Sequence, residues 1–313
     1  MVATKRVISA DSHLQLAPER WVSHIEPKYR DQAPHSVRLD DGTDATIVVE
    51  GKPQLFHGGL TGRPYENRSP NGGRWETSAG AGTPEQRLHE QDIDGVDGEI
   101  LFTYPTGIKY YRGIADDAAY KAVIHGWNHF LAEEYCPVAP ERLIGMCMLP
   151  DTGLDDAIAE LEFAARSGMK AVCLYKFPSG KDIPTVEDDR FWAAALDLNM
   201  PLTCHVGFPG HAVFPFEIDP HKFASGVDPF TKFNQYAVRG ANNALQMIFF
   251  GVCDRFPNLR LYFAETQVGW LPHFLDILDD QYDRHIHWAE RILNMHKLER
   301  MPSEYIREHF WWG

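Results

Sequence analysis

The chain has 313 residues, 44% of them hydrophobic and 24% charged. That is the range of an ordinary globular protein and excludes a disordered or fibrous one. The net charge is -14, from 30 Lys plus Arg against 44 Asp plus Glu. This balance argues against a nucleic-acid binder, which needs basic patches to neutralise phosphates, and against docking on an anionic membrane through overall charge.

The N-terminal residues carry no long apolar run, so no signal peptide is expected. The longest apolar stretches, about ten residues, are shorter than the roughly 20 a membrane helix needs. A first strand, Val7 to Ala10, runs into Asp11-Ser12-His13. Residues 36–82 read as an insertion. It opens with a hairpin, Ser36 to Leu39, a turn at Asp40-Asp41-Gly42, then Ala45 to Val49, and its tail from Gly58 to Gly82 is loop-like in composition.

Further strands are expected at Glu99 to Thr103, Ile144 to Leu149, Lys170 to Tyr175, Leu202 to Val206 and Leu259 to Ala264. Amphipathic helices fall between them. Asp117 to Tyr135 sets Val123, Trp127, Phe130 and Leu131 on one side at helical spacing. Asp155 to Arg166, Asp189 to Leu198, Ala244 to Phe256 and Leu271 to Leu293 follow. Strand and helix alternate as in βαβ units with a parallel sheet. Residues 207–239 break the rhythm with a long excursion dense in Pro, Phe and His. Long loops after strand C-termini are where α/β barrels place substrate pockets, here walled by Phe208, Phe214 and Phe216.

Five cysteines form no CxxC pair, and Cys147, Cys173 and Cys204 sit in apolar runs, so reduced buried thiols in a cytoplasmic protein are expected. No GxGxxG, GxxxxGK[ST] or GxSxG occurs. This weighs against a dinucleotide enzyme, a P-loop NTPase and a serine α/β-hydrolase.

Chemistry concentrates at strand ends. Asp11 and His13 are two apart, so in a strand they point to one face and are able to share a metal ion. His205 ends another strand, and Glu265 ends a third, where an unpaired buried carboxylate would be costly. Each of these also has a structural reading as a satisfied polar residue. Imidazole and carboxylate together suit Zn, Mn or Fe.

Val7-Ile8-Ser9-Ala10-Asp11-Ser12-His13 resembles the opening metal motif of the amidohydrolase-2 family, which includes aminocarboxymuconate semialdehyde decarboxylase. The runs Pro140 to Gly145, Asp254 to Leu259 and Gly269-Trp270-Leu271-Pro272 are similar to that family too. The resemblance implies one metal-binding (β/α)8 TIM barrel over residues 1–313, with the hairpin insertion after strand 1 and a long loop after strand 5. By it, Asp11, His13 and His205 are metal ligands. Two departures stand out. Glu265 occupies a place where the family usually carries His, and the family's last ligand Asp has no counterpart before Gly313.

A carboxylate in place of His makes an oxygen-richer site, which favours iron or manganese. A branch of the fold that this sequence resembles includes non-haem di-iron monooxygenases. The favoured expectation is therefore a two-iron oxygenase hydroxylating a hydrophobic, CoA-linked acid, with Glu265 on the second iron. Glu99, His285 and His287 are candidates to complete the set. Glu99 opens its strand, at the wrong end for a barrel site, and His285 and His287 do not share a helix face. Lys176, after strand four, is a weaker candidate for a bridging lysine. The alternatives are a Zn- or Mn-dependent hydrolase or decarboxylase with Glu265 as base, and an inactive binding barrel. A homodimer acting on a small molecule is expected, because family members are often dimers.

Overall fold

The computed structural model describes residues 5–313 except 41, 50–51, 56–73, 76–79, 104–110 and 209–227. Most of the expected 58–82 loop lies outside the described residues, as do Phe214 and Phe216. The chain divides into two compact units, one centred on the residues before Asp151, the other on Asp151–Ala165 and the residues from Ala171 onward.

In the first unit, β1 (Ile8–Leu14), β5 (Gly98–Thr103) and β6 (Leu143–Met148) lie side by side in that order, paired in parallel. Parallel neighbours require crossovers. Helix α1 (Pro84–Asp94) supplies the first, and α2 (Asp117–Phe130) joins β5 to β6. Thr83 caps α1 by accepting from the Gln86 amide at 3.3 Å, and Gly95 ends it with φ 68°.

Trp21 and Trp127 meet edge to face, 5.4 Å between ring centres, and both are buried. Burial of each such ring contributes roughly 2–3 kcal/mol. Asn128 on α2 is fully buried. Its amide donates to the Met148 carbonyl and accepts from the Met148 amide, both at 2.8 Å, which locks α2 to the end of β6. Outside these strands, β2 (His35–Arg38), β3 (Asp44–Val49) and β4 (Lys52–Leu55) form an antiparallel sheet. The hairpin was legible in the sequence; its third strand was not, because it holds only four residues including Pro53.

In the second unit, β7 (Ala171–Leu174), β8 (Leu202–His205), β9 (Leu261–Ala264) and β10 (Phe310–Trp312) lie in sequence order, all parallel. Helix α3 (Leu154–Arg166) precedes β7, and α4 (Asp189–Asp197) crosses from β7 to β8. Helices α5 (Asp228–Phe249) and α6 (Val252–Arg255) cross to β9, and α7 (Leu271–Leu293) and α8 (Pro302–His309) cross to β10. The single helix expected over 244–256 is thus two, broken at Gly251, whose φ is 70°.

Strand β10 and helix α8 escaped the sequence reading. Three residues are too few to show a period. The strand is fixed by aromatic stacking instead: Trp312 lies on Phe263 at 4.9 Å and 13°, with Trp270 edge-on at 5.0 Å.

All five cysteines are free, and Cys147, Cys173, Cys204 and Cys253 are buried. Burial pushes the Cys204 thiol well above its ordinary range, so it is an inert packing residue. Among the described residues no helix is long and apolar enough to cross a membrane.

Candidate metal-binding strand ends

Strand β1 runs further than expected and carries Asp11-Ser12-His13 inside it. Its register against β5 slips between Ser9 and Ser12: Ser9 pairs with Glu99, but Ser12 pairs with Leu101. The extra residue is a β-bulge, a device that re-aims side chains near functional sites. Beyond it the ordinary alternation holds. Asp11 Oδ1 lies 3.7 Å from His13 Nε2, while Ser12 turns the other way to donate to Glu99 at 3.0 Å.

The His13 Nδ1 atom is 3.4 Å from the Thr103 carbonyl at the end of β5. An N–H directed at that carbonyl puts the proton on Nδ1 and leaves the Nε2 lone pair facing Asp11. This is the usual way a protein prepares an imidazole as a ligand.

The second unit offers a matching pair. His205 ends β8 with its side chain 2% exposed, and its Nε2 lies 3.5 Å from Glu265 Oε2. Glu265 follows β9, the neighbour of β8. Both strand ends turn sharply: Val206 has φ 66° and Glu265 φ 53°. A β-branched residue in that region is strained, and such strain collects where a side chain must be held for function. The Val206 amide donates to the Ala264 carbonyl at 2.9 Å, tying the two turns together.

Gly207 follows with φ 106°, and a Cβ there would lie 2.8 Å from the Gly240 amide nitrogen. Only glycine lets the strand end pass so close to α5.

The loops beside this pair are ordered by Phe208, expected as a pocket wall, and by polar side chains that the sequence gave no reason to single out. Phe208 packs edge-on against buried Phe177 at 4.7 Å. Asn243 on α5 accepts from the Phe208 amide at 2.8 Å, and Gln246 donates to the Asp182 carbonyl at 3.1 Å. Buried Asp188 accepts from the amides of Ser179 and Thr185 at 2.6 and 2.7 Å, gathering the loop after β7. Of the predicted aromatic wall only Phe208 lies in the described residues.

Two expected ligands, Glu99 and His285, are engaged elsewhere, and a third, His287, is exposed. Glu99 accepts from Arg87 Nε at 2.6 Å and Nη2 at 2.9 Å, from Gln91 at 2.7 Å and from Ser12. Burial would raise its carboxyl, but Arg87 and these hydrogen bonds outweigh it and hold the group below the ordinary carboxylate range. Glu99 is a structural charge, with its lone pairs committed. His285 and His287 are exposed on α7; His285 Nδ1 accepts from Trp288 at 3.0 Å. Lys176 forms an ion pair with Asp151 at 3.3 Å.

Each unit thus brings an imidazole–carboxylate pair to the C-terminal end of its parallel strands. Nitrogen and oxygen donors without thiolate fit a divalent cation such as Mn2+ or Zn2+.

A model of the amidohydrolase family matches residues 81–312. No curated protein matches the chain. Several solved structures share its fold. One is an amidohydrolase from Mycobacterium avium subsp. paratuberculosis, with TM-score 0.70 and 16% identity, covering 100% of this chain and 84% of that one. Another is 5-carboxyvanillate decarboxylase from Sphingomonas paucimobilis, with TM-score 0.62, 18% identity and coverage of 99% and 80%. A third is dihydroxybenzoic acid decarboxylase from Polaromonas sp. JS666, solved with manganese and the inhibitor 2-nitroresorcinol, with TM-score 0.60, 17% identity and coverage of 99% and 78%.

Proposed function

The chain belongs to the amidohydrolase family, and from that membership we propose that it is a metal-dependent decarboxylase of a hydroxylated aromatic acid. The reading takes the whole chain as one (β/α)8 barrel, with Asp11, His13 and His205 holding one divalent cation, manganese or zinc. The observation that carries it is the pair of strand-end imidazole–carboxylate sets, within a family whose structural neighbours include manganese-bound decarboxylases.

The cation would supply a Lewis acid for the substrate's oxygens. The chain's own residues supply the rest. His13 is oriented by the Thr103 carbonyl, and His205 is held by burial among strand neighbours. Glu265, 40% exposed and beside His205, is the group able to hold and move a proton at its Oε2. In a non-oxidative decarboxylation the bond from ring carbon to carboxylate breaks, CO2 leaves, and the ring carbon takes one proton; Glu265 is assigned as its donor.

Hydrolysis of an amide or ester is the second reading, since the same donors are able to activate water. The family match and the neighbours support these two over the two-iron oxygenase, and nothing in them carries a CoA-linked substrate.

The test is a panel of hydroxybenzoates and their amides, assayed with protein stripped by chelator and then given Mn2+ or Zn2+. Loss of CO2 release on stripping and its return with metal is the expected result. Turnover that survives complete stripping would overturn the proposal. Product formation that tracks O2 consumption, with two irons per chain, would restore the oxygenase reading.

A further inference from the structure

A pocket of about 210 Å3 opens in the first unit just past the end of α2, and none of Asp11, His13, His205 and Glu265 lines it. Leu131, Ala132 and Cys136 line it from the turn after α2, Leu143 from β6, and Met169 and Lys170 from the segment 166–170. We propose that this pocket binds a small monocarboxylate whose apolar body has about six carbons, with its carboxylate at the Lys170 ammonium.

Three features of the chain build this pocket. After Phe130 the helix widens into a π-turn, Leu131–Tyr135, and Pro137 follows, which has no N–H to continue a helix. Such π-turns are frequent at functional sites. The second feature is Gly145 on β6. A Cβ there would lie 2.9 Å from Cys136 Sγ and 3.2 Å from Leu131 Cδ1. The bare backbone thus seats the π-turn on the strand and sets the depth of the pocket. The third is Gly168, whose φ of 76° turns the chain so that Met169 and Lys170 reach the pocket.

The lining selects the ligand. Leu131, Ala132, Leu143 and Met169 are apolar. Cys136 is half-buried, and burial pushes its thiol up to about 12, so it is uncharged at neutral pH. Walls of this kind take a hydrocarbon body. An apolar cavity of about 150 Å3 holds a benzene ring, so 210 Å3 admits a six-carbon body with its head group at the mouth. Among the described residues that line the pocket only Lys170 is charged. It is exposed, and no carboxylate of the described residues pairs with it. A lysine so placed lays its stem on apolar surface and keeps its ammonium in water. A ligand carboxylate there gains a charge-assisted hydrogen bond without being buried. The net charge of -14 does not attract an anion to the protein as a whole, so this preference depends on the one local cation.

This site is independent of the proposed reaction, and its readout is local to it. The full chain, stripped by chelator, is treated with methyl methanethiosulfonate at about pH 8.5, where thiols begin to ionise, and the modified cysteines are located by mass spectrometry. Cys136 is half-buried and reports the pocket, while buried Cys204 is the control. Hexanoate is expected to slow modification of Cys136 and to leave that of Cys204 unchanged. Each CH2 removed from the acid should weaken protection about fourfold. Hexanol should protect about threefold to fivefold less well than hexanoate, and Lys170→Met should abolish that difference. Ala132→Leu, which fills the pocket, should abolish protection altogether; if it fails to fold, Lys170→Met at its exposed position still decides. If Cys136 does not react, the same variants are compared by saturation-transfer NMR on hexanoate. No protection by hexanoate, protection independent of chain length, acid and alcohol acting alike on the unchanged chain, or equal saturation transfer to the unchanged chain and Ala132→Leu overturns the proposal.

Discussion

His205 and Glu265 face one another across adjacent parallel strand ends, with Nε2 and Oε2 3.5 Å apart, and yet differ sharply in exposure, 2% against 40%. A nearly enclosed imidazole suits a fixed ligand, whereas a half-open carboxyl suits exchange of protons with substrate and solvent. Glu265→Gln keeps the shape and removes the carboxyl proposed to transfer the proton. It should lower kcat by about 10²- to 10⁴-fold and leave metal content unchanged, as read by steady-state kinetics and elemental analysis on the same sample. His205→Ala should instead lower metal content, and unchanged occupancy would remove His205 from the site.

The Arg87–Glu99 pair is nearly enclosed, with side chains 11% and 12% exposed. Arg87→Ala strands a buried carboxylate and should destabilise by about 3–5 kcal/mol, seen as a lower urea midpoint. The pair also sets a pH dependence. The folded Glu99 carboxyl is held below its unfolded value, so its contribution is fully present above the unfolded pKa, about 4.3. It is lost as the pH falls through the lower folded value. Melting temperatures between pH 6 and pH 3 should therefore fall less steeply in Glu99→Gln than in the unchanged chain; equal slopes would count against the pair.

Asn128→Ala leaves both the Met148 amide and carbonyl without their side-chain partner in a fully buried position. A loss of about 2–4 kcal/mol is expected. Asn128→Asp, which retains the acceptor and loses the donor, should also destabilise, so the two variants separate lost volume from lost hydrogen bonds.

Gly207→Ala places a Cβ 2.8 Å from the Gly240 amide nitrogen at φ 106°. It should cost roughly 1–3 kcal/mol. Val206→Gly should do the reverse, relieving the strain of a β-branched residue at φ 66° and raising the melting temperature while loosening His205. A fall in the melting temperature of Val206→Gly would show that this turn stores no strain.

The α/β alternation was legible because parallel strands buried on both faces read as short apolar runs, and all six predicted strands exist within a few residues. Where the signal was short or tertiary, it failed. Strand β10 rests on Trp312 stacking against Phe263 from a distant segment. The break at Gly251 interrupts a hydrophobic period that continues through it. For the site, the Asp11-x-His13 spacing in a strand was sufficient to pair those two residues. Residue types kept Glu99, His285 and His287 as candidates although Glu99 opens its strand and the two histidines do not share a helix face.

What the chain by itself determined is which residue types stand at strand ends, since period and spacing are local properties of the sequence. What only the tertiary structure decided is which of the candidate groups spend their lone pairs on partners within the protein. Glu99 gives its own to Arg87, Gln91 and Ser12, and His285 accepts from Trp288. A hydrogen bond depends on where a partner from elsewhere in the chain arrives, and that is settled by packing.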